Sequence, residues 1–148
     1  MSNKLFNTPF ELSLHVILLL DTVGKSITLD RIAAYDFIAI YSEDFGISDI
    51  SLNGENGFAF SELSARRKLI RAAIKDLVLD RLVTAEDAEL GILYSISDSG
   101  RKMSDTFQSE YAAKYKELMA LVVRKYEEID DVQLLDIINR QSTKSLRR

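Results

Sequence analysis

The sequence predicts a mainly α fold of the α+β class, in which a helical core carries one two-stranded β-hairpin. Three observations predict it. Helical periodicity dominates the chain; the run Ile92-Leu93-Tyr94-Ser95-Ile96-Ser97 alternates with period two; and the preceding TAEDAELG stays polar until Leu90 and ends in glycine. Alternation places Ile92, Tyr94 and Ile96 on one face of a strand and Leu93, Ser95 and Ser97 on the other. The polar segment reads as the exposed turn of a hairpin, following the apolar pair Leu82-Val83 that ends a helix. Asp98 is positioned to cap a further helix, its carboxylate accepting from free amides of the first turn. Helix, hairpin and helix in this succession over 81–100 predict a winged-helix-like domain with a two-stranded wing.

With 148 residues and 47% hydrophobic content, the chain can build one sizeable core, whereas two independent domains would each be small. Residues 1–100 are expected to form the winged-helix-like domain, and 101–148 a helical extension sharing its core.

The first helix has a capping box. The Thr8 hydroxyl can accept from the Glu11 amide, the Glu11 carboxylate can return to Thr8, and Pro9 sits at N1, where no amide is needed. Phe10, Leu12, Leu14 and Val16 to Leu20 are apolar nearly all round, which predicts a central helix that Gly24 can end in the left-handed conformation. A second helix is expected over 29–41, capped by Thr28, with Ile32, Ala33, Phe37 and Ile40 inward and Asp30, Arg31 and Asp36 outward. The long connection over 42–60 holds Glu43, Asp44, Asp49 and Glu55 and no basic residue. Phe45, Ile47, Ile50, Leu52 and Phe58 can pin it as a buried loop.

The third helix should span 61–82, with Leu63, Ile70, Ile74, Leu77 and Val78 toward the core. Arg67, Arg71 and Lys75 recur at i, i+4 and i+8 with Arg66 and Lys68 beside them, forming a cationic stripe about 12 Å long. These five residues are the candidate contacts to nucleic acid or a protein partner. A fourth helix over 99–128 is predicted from Met103, Phe107, Tyr111, Tyr115, Leu118, Val122, Tyr126 and Ile129. It would measure about 45 Å, longer than so small a core needs, so Tyr111, Tyr115, Leu118, Val122 and Tyr126 are candidate contacts to another chain. A short last helix should carry Val132, Leu134, Leu135, Ile137 and Ile138 after the acidic EEIDD run, and STKSLRR reads as a frayed basic tail.

Several function classes find no residues to carry them. The chain has no cysteine and one histidine, and neither a phosphate-binding GxxxxGK[ST] nor an HExxH motif occurs. His15, inside the most apolar helix, reads as a hydrogen-bonded core or interface residue. The carboxylates Glu127, Glu128, Asp130 and Asp131 read as a solvated helix end. No catalytic residue, cofactor or metal site is therefore assigned. The apolar stretch 14–20 falls well short of the roughly 20 residues that cross a bilayer, and no basic leader precedes it; a cytoplasmic protein without a membrane partner is expected. A net charge of −4 opposes broad coating of nucleic acid. Glu86, Asp87 and Glu89 at the wing tip would repel phosphates, and about 18 residues separate helices that a DNA reader joins by a short turn. Protein docking is therefore favoured over direct base reading.

The blocks LFNTPFEL, LDRIAAYDFIAIYSEDFG, NGENGFAFSELSARRKLIRAAIKDLVLDRLV and LYSISDSG, in order over about 5–100, resemble the small middle component of bacterial three-component ABC ATPase systems. Lamassu-type antiphage systems are among these. The resemblance implies a winged-helix-like, non-catalytic adaptor that works beside an SMC-like ABC ATPase, related to coiled-coil chromosome-maintenance and DNA-repair proteins, and an effector such as a nuclease. Any contact of the subunit with DNA would be weak or indirect. The residues also admit an alternative, a winged-helix transcription regulator that dimerises through the fourth helix and reads DNA with the third.

Overall fold

The computed structural model describes residues 8–49, 60–89 and 91–146. Leu5, Phe6, Ile50, Leu52, Glu55, Phe58, Leu90, Arg147 and Arg148 lie outside the described residues.

Helix α1 (Pro9–Val23) begins as its sequence dictates: the Thr8 hydroxyl accepts from the Glu11 amide at 3.2 Å, and Pro9 opens the first turn. It ends at Gly24, whose φ of 73° lets its amide bond back to the Leu20 carbonyl. Every residue from Leu14 to Leu20 is buried, because α1 is packed by neighbours on all sides. Ile27 then makes a single antiparallel bridge to Tyr94, with N–H···O distances of 2.9 and 2.8 Å. Helix α2 (Leu29–Ile40) is capped by Thr28, whose hydroxyl accepts from the Arg31 amide. All ten residues from Arg31 to Ile40 are buried, so α2 has no solvent face over that stretch. Arg31 and Asp36, expected outward, are therefore buried.

Helix α3 (Phe60–Leu79) buries Leu63, Ile70, Ile74 and Leu77 and half-buries Val78, as its periodicity predicts. Its end is a Schellman turn. The Leu82 amide bonds to the Leu77 carbonyl, the Arg81 amide to Val78, and Arg81 takes a φ of 64°, a left-handed conformation that favours glycine. Strands β1 (Val83–Ala88) and β2 (Gly91–Ile96) pair antiparallel in the register Val83↔Ile96 through Ala88↔Gly91. TAEDA, expected as a turn, is therefore strand. Strand β1 is exposed at every position after Val83, so it shows no apolar alternation.

Ser97, one residue earlier than expected, caps α4 (Asp98–Thr106) by accepting from the Gly100 amide at 3.0 Å, and Asp98 lies in the first turn. The expected single fourth helix is two helices. After α4 the chain leaves helical geometry at Phe107, and Ser109 caps α5 (Glu110–Tyr126) by accepting from the Ala112 amide. Helix α6 (Asp131–Leu146) opens with a reciprocal cap in which Asp130 Oδ1 accepts from the Gln133 amide and Gln133 Oε1 from the Asp130 amide. It continues through the segment 142–146 that reads in sequence as a frayed tail. No helix among the described residues is long and apolar enough to cross a membrane.

One core joins these elements. Leu14 and Val16 to Leu20 of α1, Ile32 to Tyr35 and Phe37 to Ile40 of α2, Ile70 and Ile74 of α3, Tyr115, Met119 and Val122 of α5, and Leu134 and Ile138 of α6 belong to a continuous buried cluster.

Candidate partner and nucleic-acid interface

The five cations predicted on the third helix separate into two groups. Arg66 turns into the core, where its Nε and Nη2 donate to Asp36 Oδ2 at 3.0 and 2.7 Å. Asp36, 1% exposed, sits at the meeting of four helices: its Oδ1 also accepts from the Tyr115 hydroxyl at 2.7 Å and lies 2.9 Å from His15 Nδ1. A carboxylate only accepts, so that nitrogen carries a proton. His15 Nε2 is 2.8 Å from the Tyr111 hydroxyl, and the His15 ring stacks on Tyr115 with centroids 4.4 Å apart. The reading of His15 as a hydrogen-bonded core residue is thus met.

Burial alone would raise the Asp36 carboxyl. The Arg66 guanidinium, then His15 and the Tyr115 hydroxyl, reverse that and hold it well below the usual carboxylate range. Burial followed by the Asp36 charge pushes both Tyr111 and Tyr115 far above an ordinary phenol, so both hydroxyls remain donors.

Asp36 was expected outside, yet it lies four residues after Ile32 and four before Ile40, both inward, and that spacing was the signal for its burial. Arg31 likewise points in. Its guanidinium donates to Asp131 Oδ1 at 2.7 Å, to the Tyr35 hydroxyl at 2.8 Å and to the Tyr126 carbonyl at 3.2 Å, with a further bond to the Ile129 carbonyl. Thr28 donates to the other Asp131 oxygen. Arg31 therefore ties α2 to the end of α5 and the start of α6, and Asp131 is a structural anchor where a solvated helix end was expected.

Arg67 pairs with Asp30 at 2.6 Å, both half-exposed. That leaves Lys68, Arg71 and Lys75, which are exposed and make no ion pair among the described residues. Spaced at i, i+3 and i+7, they share one face of α3. With Ala72, Val78, Leu79, Ala85 and Tyr94, among others, they line an open groove of about 570 Å³ between α3 and the hairpin.

The hairpin acids divide by face. Asp87 follows Ala85 by two residues and shares its groove side; Glu86 faces the other way and accepts from the Ser26 hydroxyl at 3.0 Å. Glu89 is exposed in the connecting turn.

The five residues expected to meet another chain are placed differently. Tyr115, Leu118, Val122 and Tyr126 are buried in this chain's own fold, and Tyr111 is half-buried against His15. The break at 107–109 folds α5 back onto α1 and α2, which removes the projecting helix that their assignment required.

The chain is thus mainly helical, with a two-stranded sheet, an exposed cationic groove and a polar network in its core. The model of the ABC-three component (ABC-3C) system Middle Component 2 family matches residues 5–148, and the chain belongs to that family. It is a component of an ABC-three component system. No curated protein and no solved structure matches the chain.

Proposed function

We propose that this chain is the non-catalytic adaptor of an antiphage ABC-three-component complex of the Lamassu type, connecting an SMC-like ABC ATPase to an effector such as a nuclease. Its residues 1–100 form a winged-helix-like module. The succession α1, Ile27 bridge, α2, α3, β1, β2 supports this, with α3 in the recognition-helix position and the hairpin as wing. One observation carries the docking role: Lys68, Arg71 and Lys75 lack internal partners among the described residues, whereas Arg66 and Arg67 are engaged by Asp36 and Asp30. The unengaged face is available to a partner.

Three such cations give DNA little hold. At a slope of about −0.9 per phosphate, affinity for duplex should fall at most about 40-fold between 50 and 200 mM salt. Co-expression with the neighbouring components and mass measurement of the purified complex tests the adaptor role; a complex that assembles fully without this chain refutes it. Steep operator specificity of the free subunit would favour a transcription regulator. That alternative requires dimerisation through the fourth predicted helix, whose stripe is buried.

A further inference from the structure

We propose that the groove between α3 and the hairpin receives an acidic amphipathic segment of a partner polypeptide. The inference rests on the adaptor reading and specifies its contact. Lys68, Arg71 and Lys75 span seven residues of helix, about 10 Å, which is two turns of a facing helix with carboxylates at matching steps.

Beside the cations the groove is apolar. Leu79 is 71% exposed and lines it together with Val78 and Tyr94, while Ile92 at 48% exposure continues the same hairpin face toward the tip. Leucine and isoleucine held this open to water call for apolar side chains to cover them. A phosphodiester backbone offers none, and Asp87 on the groove side of the hairpin repels it. A segment with acids on one edge and aliphatic residues on the other satisfies both halves: the cations steer it and fix its register, and the aliphatic contacts hold it.

The test uses the full chain co-expressed with the other components of its system. Benzoylphenylalanine placed at Leu79 should crosslink, on illumination, to a partner peptide in which Asp or Glu recurs at helical steps beside Leu, Ile or Val. Reversing Arg71→Glu and Lys75→Glu together should weaken assembly about tenfold, and reversing the acids of the crosslinked peptide should restore it. Because both residues are exposed, the melting temperature of the double variant should match that of wild type. An intact complex with no crosslink from position 79, or a crosslink to a basic peptide or to nucleic acid, overturns this site and leaves the adaptor role standing. No complex at all refutes the adaptor role and the site with it.

Discussion

Replacing Asp36 by Ala should be among the most damaging substitutions in the chain, and its magnitude follows from the contacts of one carboxylate. Asp36 accepts two bonds from Arg66 and one from Tyr115, and His15 lies 2.9 Å from it, in a site where the Arg66 side chain is 8% exposed and that of Asp36 is 1%. Removing the acid breaks a buried, doubly hydrogen-bonded ion pair, which costs about 3–5 kcal/mol. Against a typical domain stability of about 5–15 kcal/mol, that is a large fraction. Urea unfolding of the full chain at neutral pH can be followed by far-UV circular dichroism and by tyrosine fluorescence, the chain having six Tyr and no Trp. With a slope of about 2 kcal/mol per molar urea, the midpoint should fall by about 2 M. Asp30→Ala provides the comparison. It breaks an ion pair whose side chains are 41% and 44% exposed, where solvent screening leaves less than about 1 kcal/mol. Combining Asp36→Ala with Arg66→Met should be less damaging than the sum of the two, because each single change already removes the same ion pair. Equal midpoints for Asp36→Ala and Asp30→Ala would refute the argument that the buried network holds the four helices together.

Four further outcomes are expected. The native Asp36 carboxyl lies below its ordinary range, so its stabilisation is full above an unfolded pKa of about 3.9 and is lost as pH falls toward the native value; the stability difference between wild type and Asp36→Asn should shrink as pH falls from about 5 to below about 4. Gly100→Ala should destabilise by about 1–3 kcal/mol despite alanine's higher helix propensity, because the added Cβ would run into the Leu82 carbonyl oxygen and lie 2.6 Å from Ile96 Cδ1; an unchanged thermal melt would disprove that close approach. Arg81→Gly should stabilise by up to about 1 kcal/mol, since the residue at φ 64° then loses its left-handed penalty, and a lowered urea midpoint would count against the Schellman turn. Leu118→Ala, at a position 1% exposed, should cost about 2–5 kcal/mol of stability while leaving partner capture by the folded fraction intact; capture lost without a change in stability would restore Leu118 to an intermolecular surface.

What could be read from the sequence was what its local chemistry determines. Thr8, Pro9 and Gly24 bound α1 through bonds reaching no further than four residues, and Thr28 starts α2 in the same way. The fourth-helix prediction failed where two local signals competed. Ser109 and Glu110 form a helix start, but the aromatic spacing of Phe107, Tyr111 and Tyr115 runs straight through it, and periodicity cannot distinguish one long helix from two that bury the same face. Strand β1 was illegible because solvent on both its faces leaves no pattern. The burial of Asp36 and Arg31 depends on partners distant in sequence: Arg66 is 30 residues from Asp36, and Asp131 is 100 from Arg31. A polar residue on an apolar face is explicable only once those partners arrive.

The same long-range pairing decides which cations of α3 can act outside the chain. As a sequence pattern the stripe runs evenly from Arg66 to Lys75, but α2 supplies acids only beside its first part, where Asp36 takes Arg66 and Asp30 takes Arg67. The unengaged charge is thereby displaced toward the end of α3, next to Leu79 and the hairpin, which is why cations and open aliphatic groups share one groove. A charge reversal consequently has a different meaning at each position. Arg66→Glu would place two carboxylates together in the core and unfold the chain, so loss of assembly in that variant says nothing about docking. Arg71→Glu changes an exposed group without an internal ion pair among the described residues, and any effect it has on assembly reports on the partner.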